Sequence, residues 1–290
     1  MANILVTGAN GQLGSELKKR SFSALDEVYF TDVADLDITN YNAVERFLKK
    51  NEIDTIINCA AYTSVEGAED EPEQAAKINA EAVGNLARAA WKEDCLLIHI
   101  STDYVFDGKG SVPYTEKDKP CPKNVYGKTK LAGEQVILKS GCFHIIVRTS
   151  WLYSGFGHNF VKTMLHLADE RAEIKVVADQ VGTPTYAADL AGFLVDLMAN
   201  EERIEYQGIY HYSNEGECSW CDFAKEIMFL AGKKCKVLPV STAEYPVKAL
   251  RPAYSVMDKT KIKNTFGVTI PEWKEALKRM LTEENVHPVQ

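Results

Sequence analysis

A chain of 290 residues, 46% of them hydrophobic, holds enough apolar material for a large core and exceeds one average domain, so a large lobe, a small lobe and a cleft between them are expected. The formal net charge of -8 argues against nucleic acid as a partner, because that binding rests on clustered Lys and Arg neutralising phosphates, yet it leaves room for a small anion in a local basic pocket. No apolar run approaches the ~18 residues that span a bilayer, and 4–8 reads as a short strand rather than a leader, so a cytoplasmic, membrane-free protein is expected.

In chain order, the aliphatic run Asn3–Thr7 leads straight into Gly8-Ala9-Asn10-Gly11-Gln12-Leu13-Gly14 and then a helical pattern carried by Leu13 and Leu17. This is strand, glycine turn, helix. Further strand-like runs fall at 28–31, 55–59, 96–100 and 144–147, separated by segments with helical spacing, which implies parallel strands with helical crossovers: an α/β, Rossmann-type doubly wound sheet. The longest crossover begins near Pro72, and its steps of three and four predict a buried face of Ala75, Ile78, Ala82, Leu86 and Ala89. Past Arg148 the rhythm weakens, with helices predicted at 159–168, Ala187–Met198, Trp220–Leu230 and 272–281. The reading is a dinucleotide-binding domain over 1–150 and a smaller, mainly substrate-binding lobe over 151–290. The two interleave, because Val176-Val177 and Ile209-Tyr210-His211 within 174–212 look like strands that extend the first sheet. Residues 283–290 read as a frayed tail.

The seven cysteines read as reduced thiols, with Cys59, Cys95 and Cys142 in apolar runs. Cys218-Ser219-Trp220-Cys221 has metal or redox spacing, but no second pair completes a tetrahedral set. Ser219 with Asp222 instead reads as the cap of a helix, so no metal is expected.

Gly8, Gly11 and Gly14 allow a tight turn, close approach to a pyrophosphate, and close packing of the helix. Asp32 ends the second strand 21 residues beyond Gly11, the place of an acid that binds an adenosine ribose and repels a 2′-phosphate. NADH is therefore favoured over NADPH, although Lys18, Lys19 and Arg20 lie on the intervening helix. Tyr126 and Lys130 stand four apart, on one face of a helix, where an ammonium can lower a phenol from its usual value near ~10 and make a working acid or base. Thr102 follows the strand 96–100, at the end of a parallel strand where such sheets bind ligands, and its hydroxyl can stabilise a developing alkoxide.

GANGQLG at 8–14, NCAAYT at 58–63, STDYVFDG at 101–108, NVYGKTKLAGE at 124–134, RTSWLYS at 148–154, DQVGTPT at 179–185 and Arg251-Pro252 together resemble the dTDP-4-dehydrorhamnose reductases, extended short-chain dehydrogenases, over nearly the whole chain. The resemblance implies reduction of dTDP-4-dehydro-6-deoxy-L-mannose to dTDP-L-rhamnose by hydride transfer from NAD(P)H to C4. Tyr126 would be the proton donor, Lys130 would lower the Tyr126 pKa and hold the nicotinamide ribose, and Thr102 would polarise the ketone. It places Gly11, Gln12, Leu13, Asp32, Asp37, Ile38, Ala61, Tyr62 and Thr63, with neighbouring Gly8, Gly14 and Ala60, at the cofactor. Thr102, Asp103 and Trp151 fall at the substrate, and Arg251 could meet its diphosphate. Some relatives dimerise through magnesium held by acids. Here Glu16 falls at such a position but Ala188 stands where another acid is needed, so no structural metal is expected and the chain is a monomer or homodimer. Two alternatives stay open: a reductase of another nucleotide 4-keto sugar, and a non-catalytic cofactor-binding subunit similar to the beta subunit of methionine adenosyltransferase. A dehydratase is disfavoured, because Tyr104 stands where those enzymes carry a glutamate base.

Overall fold

The computed structural model describes residues 2–200, 202–245 and 247–284. Its centre is a parallel sheet of six strands: β1 (Asn3–Thr7), β2 (Glu27–Thr31), β3 (Thr55–Asn58), β4 (Leu96–Thr102), β5 (His144–Thr149) and a last strand, Gly208–His211. Their order is β2, β1, β3, β4, β5, Gly208–His211. Strands rich in Ile, Leu and Val suit a sheet covered on both faces. Ile4, Val6, Ile57, Ile98, Ile145 and Val147 pack on one side against the helix Ala187–Met198. Leu5, Ile56, Leu97 and Ile146 pack on the other against Val44 and Leu48 of the helix Tyr41–Lys50 and Val83, Leu86 and Ala90 of the helix Ala82–Lys92. Strand order reverses between β1 and β3, so the ligand crevice of such a sheet opens beyond their carboxyl ends.

The second half is interleaved with the first. Gly208–His211 takes the edge beside β5, in register from Gly208 opposite Ile145. Val176-Val177 does not join this sheet as expected. It belongs to the strand Glu173–Val177, which pairs in parallel with Lys236–Val240 as a separate two-stranded sheet. The edge beside β5 is already occupied, and Ile174 and Val176 bury instead against Ala224, Ile227 and Met228 in a second core. The helices Ala187–Met198 and Trp220–Leu230 have the predicted bounds, and Ser219 and Asp222 form the expected reciprocal cap. That cap leaves Cys218 and Cys221 buried in the second core. The last helix, Trp273–Glu283, still includes Glu283, and the remainder of the expected tail, 285–290, lies outside the described residues. Among the described residues no helix is long and apolar enough to cross a membrane.

The long crossover departs from one continuous α-helix. Pro72–Ala76 and Ala82–Lys92 are joined by a π turn, Lys77–Glu81. The wider turn shifts the phase, so Asn79 takes the fully buried position and Ile78 is left half-buried.

Candidate active site

At the glycine turn the backbone comes too close for side chains. Gly8 has φ +64°, and a Cβ there would lie 2.6 Å from the Ala60 nitrogen, while one on Gly14 would lie 2.5 Å from the Gly8 oxygen. Gly11 begins the helix Gln12–Lys18 with no side-chain cap, so among the described residues no side chain claims the amides of its first turn. An open cradle of this kind fits a pyrophosphate. Leu13 is buried beneath it, and the Gln12 side chain accepts from Asn159 Nδ2 at 3.0 Å, tying the turn to the second lobe. Asp32 Oδ2 accepts the Asn10 N–H at 3.0 Å and Oδ1 accepts the Val33 N–H at 2.8 Å. Lys18 Nζ donates to Asn10 Oδ1 at 2.9 Å, so a cation stands at the same loop as the acid. Asp37 accepts from the Thr39 hydroxyl and N–H, which lower its carboxyl. Ile38 beside it is buried, and Asn85 Nδ2 donates to the Ile38 and Thr39 carbonyls. Across the crevice, Tyr62 donates its N–H to Asn79 Oδ1 and accepts from Asn79 Nδ2, which fixes the segment 60–63.

The helix Val125–Ser140 carries Tyr126 and Lys130. Asn124 caps it, accepting the Gly127 N–H at 2.8 Å, while its Nδ2 donates to the Leu250 carbonyl. A Cβ on Gly127 would lie 2.2 Å from the Tyr104 oxygen, and one on Gly133 2.2 Å from the Asn79 oxygen, so two glycines let the helix lie directly on the exit of β4 and on the π turn. Tyr126 stands edge-on to Tyr104, ring centroids 5.6 Å apart. Lys130 is buried and donates to the Ile100 carbonyl at 2.7 Å, with His99 Nε2 3.3 Å away. Burial lowers Lys130 to about 8. Burial also raises Tyr126 to about 12, against a downward pull from the Thr102 hydroxyl and with a further upward push from Asp103. Lys130 therefore does not lower the Tyr126 phenol in this arrangement: the amine is engaged with β4, and desolvation dominates.

Thr102 Oγ1 accepts the Tyr104 N–H and donates to Asp103 Oδ1 at 3.1 Å. Asp103 is 1% exposed, its Oδ2 has no hydrogen-bond partner among the described residues, and burial raises its carboxyl to about 6. Trp151 sits at φ +47° and stacks on Trp220 with centroids 3.5 Å apart. A Cβ on Gly182 would meet both the Trp151 ring and Ser255 Oγ, a hydroxyl that pulls the Asp103 carboxyl down, so Trp151 is core-packed yet borders the same side of the site. Arg251 pairs with Glu66 at 2.9 Å and faces the buried Tyr104 phenol. With Asp70, Tyr245 and Lys248 this pair lines a cavity of about 570 Å³ beside the helix start. Sequence reasoning missed Asn58, Asn79, His99, Glu134 and Arg148. Glu134 continues the four-residue spacing of Tyr126 and Lys130, a legible signal. It accepts from Ser101 Oγ at 2.5 Å and from Arg148 at 2.9 and 2.7 Å, all buried, pinning the helix to β4 and β5.

A six-stranded parallel sheet with a glycine turn at its switch point defines a class, the Rossmann-type oxidoreductases. Within it, the family model described as RmlD substrate binding domain matches residues 1–286, and the chain belongs to that family. It is 43% identical over 290 residues to a dTDP-4-dehydrorhamnose reductase of Aggregatibacter actinomycetemcomitans, covering 97% of this chain and 98% of the relative. The structure resembles that of a dTDP-4-dehydrorhamnose reductase from Clostridium acetobutylicum, with TM-score 0.93, 46% identity, and 98% and 99% of the two chains covered. It equally resembles the Bacillus anthracis dTDP-4-dehydrorhamnose reductase solved in complex with NADP, with TM-score 0.92, 43% identity, and 98% and 99% covered.

Proposed function

We propose that this chain reduces the C4 ketone of dTDP-4-dehydro-6-deoxy-L-mannose to the alcohol of dTDP-L-rhamnose with a nicotinamide cofactor. The observation that carries the reading is the convergence of Thr102, Tyr126 and Lys130 at the carboxyl end of β4, beside the glycine cradle. The cofactor, when bound, supplies the hydride. Gly8, Gly11, Gln12, Leu13 and Gly14 would hold its pyrophosphate, Asp32, Asp37 and Ile38 its adenosine end, Ala60, Ala61, Tyr62 and Thr63 the opposite wall, and Tyr126 and Lys130 its nicotinamide ribose. A phenol raised to about 12 holds its proton at neutral pH and is a weak acid, so Tyr126 would give that proton up only to an oxygen already developing negative charge at C4. Thr102 would donate to that oxygen and polarise the ketone. Asp103 and Trp151 would border the sugar and Arg251 the diphosphate.

The preference for NADH expected from Asp32 meets two counterweights. Asp32 is already engaged by two loop amides, and Lys18 is tied to Asn10, where a 2′-phosphate would find a cation. The reading therefore takes either NADH or NADPH. The test is loss of reduced-nicotinamide absorbance when the purified chain meets dTDP-4-dehydro-6-deoxy-L-mannose generated in situ, with the product identified by mass and NMR. Oxidation yielding dTDP-L-rhamnose is expected. No oxidation, beside demonstrable cofactor binding and a competent positive control, overturns the substrate assignment.

A further inference from the structure

Three buried polar side chains with no part in the proposed reaction form a line across the sheet from β1 through β3 to β4. Thr7, Asn58 and His99 are 1%, 0% and 0% exposed. Their hydrogen bonds have one consistent direction. The Ala60 backbone N–H can only donate, and it reaches Asn58 Oδ1 at 3.2 Å, as does the Thr7 hydroxyl at 2.7 Å. The other end of the amide, Nδ2, therefore faces His99 Nδ1 at 2.9 Å. An amide nitrogen donates and does not accept, so Nδ1 is the acceptor and a neutral imidazole carries its proton on Nε2. Burial keeps the ring neutral.

That Nε2 proton faces Lys130 Nζ, which is itself donating to the Ile100 carbonyl. An ammonium has three protons and no lone pair, so it cannot accept from His99. A neutral amine can accept from Nε2–H, donate one proton to Ile100, and keep the other for the crevice. We propose that Thr7, Asn58 and His99 are positioning residues that lock the His99 tautomer and thereby stabilise the neutral form of Lys130 over its ammonium. The remaining groups that face Lys130 do not reverse this. Glu134, on its own helix, is already neutralised by Arg148, and Cys59, at the end of β3, is held as a thiol by burial.

Long-range proton–nitrogen NMR of the unliganded full chain, with His99 assigned through His99→Phe, reads the tautomer directly and does not depend on the reductase reading. The Nε2–H pattern, unchanged between pH 6 and 9, is expected. An Nδ1–H pattern or an imidazolium overturns the proposal. The functional arm rests on the proposed reaction and uses Asn58→Asp. A carboxylate facing Nδ1 forces the proton onto that nitrogen, turns the Nε2 lone pair toward Lys130 and favours the ammonium. The limb of the kcat/KM profile governed by Lys130 should then move up by about one pH unit or more, and the shift should vanish in the His99→Phe background. An unshifted limb in Asn58→Asp, or an equal shift when His99 is absent, shows that His99 only fills the core or that bare charge acts, and overturns it. If no keto sugar turns over while the tautomer is as expected, the assigned reaction fails and the proton arrangement stands.

Discussion

Desolvation outweighs the polar neighbours of Tyr126 and raises its phenol. Replacing Tyr126 with Phe removes the donor and leaves the ring packing on Tyr104, so turnover of the keto sugar should fall by about 10²–10⁴-fold while the dissociation constant for NADH or NADPH changes little. Unchanged turnover would remove Tyr126 from the chemistry. Asp32 poses a separate question, because one carboxylate serves both its loop and the adenosine end. Asp32→Ala deletes a negative charge beside Lys18, and the ratio of kcat/KM for NADH over NADPH should fall, read from initial rates with each cofactor. A ratio that stays fixed would mean that Asp32 only closes the turn.

The helix Val125–Ser140 is placed by contact with the π turn as much as by its own cap. Gly133→Ala drives a methyl against the Asn79 carbonyl, so the protein should lose about 1–3 kcal/mol in urea unfolding and the loop that Asn79 holds at Tyr62 should loosen. A neutral result would show that the π turn yields freely. Much of the layout was legible because local rules agree: a β-branched run, a glycine turn and an amphipathic helix cannot easily mean anything else, and Ser219 with Asp222 marks a helix start by itself. What was illegible depends on distant partners. A strict period of 3.6 places Ile78 inside, whereas the π turn that lies against Gly133 buries Asn79 instead. Glu173–Val177 has an ordinary strand pattern, and nothing in it names Lys236–Val240 rather than the central sheet as its neighbour. His99 looks like any alternate residue of a strand until β1 and β3 bring Thr7 and Asn58 alongside. Within the candidate site, the short motifs around Gly8, Thr102 and Tyr126 stood out, whereas Asn79 and Arg148 lie far along the chain from the groups they hold.

At the scale of the molecule, two buried groups oppose each other as pH changes. His211 is depressed to about 3 by burial and the nearby Arg148 charge, so between that value and its usual one near 6.5 the unfolded chain takes up a proton that the folded chain refuses. Acidification through this window costs stability. Asp103, raised to about 6, does the reverse: above its usual 3.8 the unfolded carboxyl ionises first, and raising pH toward 6 costs stability. Over 4–6 the two slopes largely cancel. Asp103→Asn should stabilise the fold by about 2–3 kcal/mol at pH 7.5 and steepen its decline on acidification, followed by urea midpoints across pH. Equal midpoints for both proteins at every pH would refute the account. The helix Ala187–Met198 belongs by sequence to the second half but roofs one face of the first sheet, and Gly208–His211 seals its edge. Cutting the chain near residue 150 would therefore sever the sheet from its own cover. Two such fragments could regain structure only by recombining, which is the property a split reporter needs.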